Sequence, residues 1–170
     1  MNKIKIVFLD IDGVLNGGYQ KKMTNNYYNL DKEKIKLLNK IIKDSSEPGI
    51  QTKIVLSSTW RLDYTEHEID FHGHAIDMFF EAVGIIPVCL GRTRYLSTDR
   101  GKEILSWLVH YHLMGKDKIE NICILDDDDD MLELEPWLVN TSHRLGLTEE
   151  NVVEAIEMLK KPFRLNINLE

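Results

Sequence analysis

Short apolar runs rich in β-branched residues alternate with longer amphipathic segments along the chain. Runs of this kind, bounded by polar or turn residues, are typical of strands buried in a parallel sheet. We predict strands at residues 4–9, 53–57, 85–90, 121–125 and 137–141. Pro87 indicates that the third run is irregular or lies at a sheet edge, because proline cannot donate to a ladder.

The longer segments carry apolar residues at the spacing of one helical face. We predict helices over residues 31–43, 99–114 and 149–160, and a helix with loops within residues 61–84. Residues that favour helix N-caps stand at the starts of the first three: Asp31, Thr98 or Asp99, and Thr148. Residues 16–30 have the composition of an exposed loop, and the tail after Pro162 is predicted to add an edge strand or to be loosely held.

Strands separated by helices predict βαβ units, and therefore an α/β fold with a parallel sheet and helices on both faces. A chain of 170 residues has the length of one ordinary domain, so residues 1–170 are interpreted as a single domain. No stretch has the length of a membrane span, and the N-terminal apolar run is cut by Asp10 and Asp12. We expect a cytoplasmic protein that does not bind membranes.

The composition, with 43% hydrophobic and 29% charged residues, is that of a globular protein. The formal net charge of -7 argues against strong non-specific attraction to nucleic acid, although a local basic patch is compatible with it. An acidic total also arises when carboxylates gather around a metal ion. Cys89 and Cys123 lie in apolar runs and are interpreted as buried, reduced thiols.

Carboxylates and hydroxyls follow three of the predicted strands at the point where each strand ends. They are Asp10 and Asp12, Ser57 and Ser58, and Asp126 to Asp130. Because ligands of open parallel sheets bind at the carboxyl ends of the strands, these groups are expected at one edge of the sheet.

The D-x-D-G sequence lets two carboxylates face one pocket through a turn at Gly13. One carboxylate can then attack while the other transfers protons; the alternative is an ordinary polar strand end. Ser57 and Ser58 can hold a phosphate oxygen or simply cap a helix.

Arg100 and Lys102 stand in the first turn of a predicted helix, where cations oppose the helix dipole. A bound phosphate would stabilise Arg100 and Lys102 at this position. The alternative is that they are a solvated pair on the surface. The five aspartates from Asp126 to Asp130 repel one another, so a divalent cation with oxygen ligands is expected beside them. A solvated acidic loop is the alternative.

Taken in order, these segments resemble the haloacid dehalogenase (HAD) superfamily. FLDIDGVLN resembles its first motif and KIVLSSTW its second, with Ser57 at the hydroxyl position. DRGKEI supplies the basic third motif, and ICILDDDDDM resembles the acidic fourth motif. More narrowly, the chain is similar to the small HAD domain found among RNA-repair proteins and, more distantly, to the 3′-phosphatase half of phage polynucleotide kinases.

The resemblance implies a three-layer Rossmann-like HAD core with little or no cap domain. It also implies a Mg²⁺-dependent phosphomonoesterase that works through an aspartyl-phosphate. Asp10 would be the nucleophile and a metal ligand. Asp12 would be the proton donor and acceptor, and its backbone carbonyl a metal ligand. A fourth-motif aspartate completes the metal site, with Asp127 preferred over Asp126 and then Asp130.

The same resemblance assigns Ser57 and a basic residue to the phosphoryl oxygens, and Gly13 and Ser58 are predicted to bind phosphate with them. The basic residue is Arg100, preferred for its bidentate fork, or Lys102. The expected substrate is a phosphorylated small molecule or a nucleic-acid end, and an open site would admit a bulky one. Four aromatic residues near the mouth are candidates for stacking a base, and the alternative is that they pack locally: Tyr19, Tyr27, Tyr28 and Trp60.

Two other functions compete with a phosphatase. One is a receiver-like signalling domain that accepts a phosphoryl group, against which the position of D-x-D-G on the first strand argues. The other is a catalytically silent HAD-like binding module, against which the intact Asp10 and Asp12 argue. His67, His72 and His74 are interpreted as surface or capping residues rather than metal ligands.

Overall fold

The computed structural model describes residues 2–16, 30–60, 74–96, 99–115 and 117–164. The strands within these ranges are β1 (Lys3–Leu9), β2 (Ile50–Leu56), β3 (Cys89–Arg92), β4 (Lys118–Asp126) and β5 (Leu138–Asn140). The helices are α1 (Lys32–Ser45), α2 (His74–Val83), α3 (Arg100–Leu113) and α4 (Glu149–Met158), with a short 3₁₀ helix over Leu132–Trp137.

The five strands form one sheet in the order β3-β2-β1-β4-β5, and every pair is parallel. The predicted α/β fold with a parallel sheet is therefore confirmed. The chain runs outward from β1 to β3 on one side, then crosses to β4 and β5 on the other. This reversal of direction creates a crevice beyond the carboxyl ends of β1 and β4, where ligands of such sheets bind.

Helices cover both faces of the sheet and make a three-layer core. Residues from α1, α2 and α4 pack with Leu9, Leu56 and Leu125 in one apolar cluster. Residues from α3 and the 3₁₀ helix pack on the other face with Phe8 and Ile124. Neighbouring strand residues thus point into opposite clusters, which explains why the central strands are apolar runs rather than alternating ones.

The structure moves some of the predicted boundaries. β2 and β4 begin earlier than predicted because residues that precede the predicted runs pair with the start of β1, where Lys3 is opposite Ile50 and Lys118. β3 is displaced to Cys89–Arg92 from the predicted 85–90, since pairing with β2 begins only after Pro87. β3 does lie at the sheet edge, as that proline indicated.

The predicted caps form at the starts of α1 and α4. Asp31 accepts a hydrogen bond from the Glu33 N–H at 2.8 Å, and Thr148 forms a capping box with Asn151. Asp99 occupies the N-cap position of α3 without a side-chain capping bond. Phe163 packs edge-on against Trp137, so the start of the tail is held against the core.

Several predictions fall on residues outside those that the structure describes. They are the greater part of the loop at 16–30, residues 61–73 before α2, Thr98, and the end of the tail at 165–170. The expectation of little or no cap depends partly on the first two segments. Tyr19, Tyr27, Tyr28, His67 and His72 lie there too, as does the side chain of His74. None of the described helices has the length and apolar character needed to cross a membrane.

Candidate active site

The ends of three neighbouring strands bring the predicted site residues to one edge of the sheet. Asp10 follows β1, Ser57 follows β2, and Asp126 is the last residue of β4. The ladder continues past the strands, because the Asp10 N–H donates to the Leu125 carbonyl at 3.0 Å and the Ser57 N–H to the Leu9 carbonyl at 2.9 Å. Asp10 is therefore held at the crevice between β1 and β4.

Asp10, Asp126 and Asp127 form a compact group of carboxylates. One carboxylate oxygen from each lies within 4.8 Å of the others. Asp10 is 5% exposed, Asp126 is fully buried, and Asp127 is partly buried. Hard divalent cations such as Mg²⁺ prefer oxygen ligands of this kind, so the group is suited to hold one.

Burial dominates the electrostatics of this group. It raises the pKa of Asp10 to about 6, although Arg100 and a hydrogen bond from Ser58 oppose the increase. Burial and the neighbouring Asp10 raise the pKa of Asp126 to about 7, again against the attraction of Arg100. A cation bound here would stabilise the ionised carboxylates that burial disfavours.

Arg100 reaches this group from the first turn of α3. Its Nη2 lies 3.6 Å from Oδ1 of Asp10, and its Nε lies 3.4 Å from Oδ2 of Asp126. Its backbone N–H donates to Oδ2 of Asp130 at 2.9 Å. Within the described part of the chain, its buried Nη1 has no hydrogen-bond partner. That N–H group is available to an anionic ligand beside Asp10.

Gly101 allows α3 to begin directly against the acidic loop. A Cβ on this residue would lie 2.3 Å from the carbonyl oxygen of Met131, too close for any side chain without movement. The Gly101 N–H also donates to the Asp130 carbonyl at 3.1 Å. The glycine between the two predicted cations thus brings Arg100 to the carboxylates.

Two of the predicted site residues are placed away from the group. Lys102 is exposed, and its ammonium pairs with the Asp99 carboxylate, which raises the pKa of the lysine. Asp130 receives the backbone N–H of Arg100 and is not part of the compact carboxylate group. Asp130 therefore stabilises the start of α3.

Gly13 has a φ of +74°, in the left-handed region that glycine adopts readily. A Cβ there would lie 2.2 Å from the carboxylate carbon of Asp127, so a side chain would displace that carboxylate. The Thr141 hydroxyl donates to the Gly13 carbonyl at 2.8 Å and ties the turn to the segment after β5. The turn at Gly13 therefore sets how closely Asp127 approaches the first motif.

Asp12 is exposed at the rim of the site, and its carboxylate accepts hydrogen bonds on both oxygens. The donors are the side-chain amide of Asn16 and the indole Nε1 of Trp60, the latter at 2.8 Å. On the other side of the turn, Nδ1 of His143 lies 2.9 Å from Oδ2 of Asp127. Each of these two carboxylates is thus oriented by a neighbouring side chain.

Ser57 and Ser58 are both fully buried behind Asp10. The Ser58 hydroxyl donates to the Asp10 carboxylate, and its oxygen accepts the backbone N–H of Trp60 at 3.3 Å. The sequence assigned the motif hydroxyl to Ser57, whereas the contact with Asp10 is made by its neighbour. Both remain candidates for holding phosphoryl oxygens.

Sequence reasoning missed three partners of the acidic groups, and it missed Thr141, which binds the Gly13 carbonyl. The three partners are Asn16, the indole N–H of Trp60 and His143. Thr141 and His143 directly follow β5, so the rule that polar groups at strand ends form the site would have found them. Asn16 follows Asp12 by four residues, a spacing that a turn can bring into contact. Trp60 was considered only for its ring.

In a comparison with protein families, residues 6–152 match the family described as the HAD domain in Swiss Army Knife RNA repair proteins. A search of curated proteins and a search of solved structures each found no match. The family match, together with an aspartate group that can hold a metal ion, indicates a hydrolase of the phosphatase type. The resemblance inferred from the motifs is thus confirmed, and the chain belongs to the HAD superfamily, within the family of HAD domains of RNA-repair proteins.

Proposed function

We propose that the protein is a Mg²⁺-dependent phosphomonoesterase in which Asp10 is the nucleophile. The observation that carries this proposal is the position of the buried Asp10 carboxylate. One of its oxygens lies within 4.8 Å of a carboxylate oxygen of Asp126 and of one of Asp127. The guanidinium of Arg100 lies 3.6 Å from Asp10 on its other side. A nucleophile, a cation-binding group and a fixed positive charge therefore converge at one sheet edge.

Attack by a carboxylate on a phosphate ester requires that the repulsion between the two anions be cancelled. Asp10, Asp126 and Asp127 are the proposed Mg²⁺ ligands, with the Asp12 backbone carbonyl as a further one. When bound there, Mg²⁺ supplies positive charge to the nucleophile and to the phosphoryl oxygens. Asp130, which supports α3, is the weakest of the predicted ligands.

The reaction has two halves. A carboxylate oxygen of Asp10 bonds to phosphorus while the bond from phosphorus to the leaving oxygen breaks, and Asp12 gives that oxygen a proton. Asp12, now ionised, then takes a proton from water as the water oxygen attacks phosphorus. The acyl phosphate bond breaks, which releases inorganic phosphate and restores Asp10.

Arg100 is the proposed phosphate-binding cation. Its buried Nη1, which has no hydrogen-bond partner in the described part of the chain, is well suited to a phosphoryl oxygen. The hydroxyls of Ser57 and Ser58 and the turn at Gly13 are proposed to hold the remaining oxygens. Lys102, paired with Asp99 on the surface, is proposed to have no direct role.

The proposed substrate is a polynucleotide end that carries a terminal phosphate. The matched family is described as a domain of RNA-repair proteins, which supports this choice. Arg94 and Tyr95 are exposed just beyond β3, and Arg144 is exposed beyond β5, all at the edge of the sheet where Asp10 lies. In a protein with a net charge of -7, these arginines provide local contacts for flanking phosphates.

Hydrolysis of p-nitrophenyl phosphate tests the reaction. We expect turnover that requires Mg²⁺, is abolished by EDTA and is lost in Asp10→Asn. Arg100→Ala should raise KM at least tenfold, a typical loss for a charge-assisted contact, while the matched Lys102→Ala should change it less than about twofold. Activity without a metal ion, or in Asp10→Asn, would contradict the mechanism.

Substrate choice needs a second comparison. A 3′-phosphorylated oligonucleotide should be hydrolysed with a higher kcat/KM than the corresponding 3′-mononucleotide, because only the oligonucleotide carries flanking phosphates. That advantage should shrink as the salt concentration rises. Equal values for the two substrates, or preference for the mononucleotide, would contradict a polynucleotide substrate while leaving the phosphatase reaction intact.

A further inference from the structure

The Asp12 carboxylate is fixed by side chains on both sides, although it is exposed. The Asn16 amide donates to Oδ1, and the Trp60 indole donates to Oδ2 at 2.8 Å. The amide of Asn16 is itself held, since its oxygen accepts the Gly13 N–H at 3.0 Å. The orientation of Asp12 is therefore set by its neighbours rather than by solvent.

Trp60 is itself held in place by contacts of its ring and of its backbone. Its ring is half-buried and lies 6.1 Å from the ring of Phe79 on α2, at an angle of 43° between the planes. Its backbone N–H donates to the hydroxyl oxygen of Ser58, the residue that also hydrogen-bonds to Asp10. One short segment after β2 thus contacts both the nucleophile and the proposed proton donor.

The consequence rests on the proposed function, in which Asp12 gives a proton to the leaving oxygen as the bond to phosphorus breaks. Such a transfer requires the carboxyl group to be within hydrogen-bond reach of that oxygen and correctly oriented. Each carboxylate oxygen has two lone pairs, so Asp12 can accept the Trp60 N–H and still exchange a proton with the leaving group.

We propose that Trp60 is a positioning residue for this proton transfer, and that its indole N–H keeps the carboxyl group of Asp12 directed at the leaving group. Phenylalanine at this position would retain an aromatic ring against Phe79 but lose the N–H. Of its two side-chain hydrogen bonds within the described residues, the Asp12 carboxyl would then keep the one from Asn16 and would sample other orientations.

Leaving-group dependence separates positioning of a proton donor from a general structural role. p-Nitrophenolate is stable enough to leave without a proton, whereas the alkoxide of glycerol 2-phosphate must be protonated as it leaves. A variant that misplaces Asp12 therefore slows the alkyl ester more than the aryl ester. A variant that merely loosens the fold or weakens phosphate binding slows both to the same extent.

The experiment compares kcat/KM, which reports the steps up to loss of the leaving group, for the two esters in the full chain with Mg²⁺ for wild type, Trp60→Phe and Trp137→Phe. Trp137 is the matched control, because it is also half-buried against a phenylalanine but is the last residue of the 3₁₀ helix, at the amino end of β5 and not at the carboxyl ends of the strands. Asp12→Asn gives the profile expected when the proton donor is lost completely. Thermal unfolding of each variant shows that the fold is retained.

We expect kcat/KM of Trp60→Phe for glycerol 2-phosphate to fall roughly tenfold more than its kcat/KM for p-nitrophenyl phosphate, a fraction of the full effect of a general acid. Trp137→Phe should show equal, small changes. If Trp60→Phe slows the two esters equally, or neither, while Asp10→Asn is inactive, the positioning role is refuted and the proposed function stands. If wild type hydrolyses neither ester with Mg²⁺, both fail.

Discussion

Replacing Asp10 with asparagine should stabilise the metal-free protein at alkaline pH, even though it removes the proposed nucleophile. Asp10 is 5% exposed, and burial raises its pKa from 3.8 to about 6 despite the nearby Arg100. The folded state therefore resists ionisation of this carboxyl group more than the unfolded state does. Asparagine has nearly the same shape and no charge to desolvate.

The size of the effect follows from the difference in pKa. A difference of about two pH units, at about 1.4 kcal/mol per unit, corresponds to about 3 kcal/mol of stability that the ionised side chain costs. Because the pKa is raised in the folded state, the neutral Asp10 side chain makes its full contribution below about pH 4, and wild type loses this contribution as the pH rises to about 6. Asp10→Asn does not lose it.

The assay is urea unfolding of both proteins in EDTA, followed by circular dichroism, at about pH 4 and about pH 8. The free energies of unfolding should be similar at acidic pH and should differ by up to about 3 kcal/mol at alkaline pH, in favour of the variant. Asp44→Asn, which changes an exposed carboxylate on α1, is the matched control and should show no such difference.

Mg²⁺ should narrow the advantage of the variant at alkaline pH. Wild type gains about 2.7 kcal/mol when the metal concentration is a hundred times the dissociation constant, and the variant gains less because it has lost a ligand. If Asp10→Asn in EDTA is no more stable than wild type at alkaline pH, the attraction of Arg100 outweighs burial. If Asp10→Asn were more stable than wild type by the same amount at both pH values, the reasoning would also be refuted, because ionisation of Asp10 could not be the cause.

Three further variants test other contacts of the site. His143→Ala should weaken Mg²⁺ binding about tenfold in calorimetry, because it orients a proposed ligand, and the exposed control His112→Ala should leave it unchanged. Gly101→Ala should lower the free energy of unfolding by about 3 kcal/mol in urea titration, because its Cβ would meet backbone at 2.3 Å. Arg100→Lys should raise KM about tenfold without affecting Mg²⁺ affinity, and an unchanged KM would refute a bidentate role.

The sequence could predict which strand ends meet, because apolar runs followed by Asp or Ser identify the edge of a parallel sheet. It could not decide between Arg100 and Lys102. Residues two apart on a helix point in directions about 200° apart, so only one can face the carboxylates, and the pattern does not say which. The docking of α3 decides it, and that docking depends on a contact between Gly101 and Met131, which are far apart in sequence.

The aspartate run shows a similar limit. Five identical residues carry no periodic signal, so their roles are set by where β4 ends and α3 begins. Asp126 is the last residue of the strand and is buried. The Asp127 carboxylate lies against the turn at Gly13, and Asp130 accepts the backbone N–H of Arg100, the first residue of α3. Only the tertiary arrangement separates a carboxylate that can hold a metal ion from one that supports a helix.

Two glycines allow the charged side chains of the site to lie close together. Gly13 admits the Asp127 carboxylate on one side of the site, and Gly101 admits α3 and its arginine on the other. Burial keeps the pKa values of Asp10 and Asp126 raised, with the Asp10 carboxylate adding to the effect on Asp126, even though Arg100 contacts both. The fold therefore holds a carboxylate group that a single guanidinium does not neutralise, and a divalent cation is the ligand that would complete the charge balance.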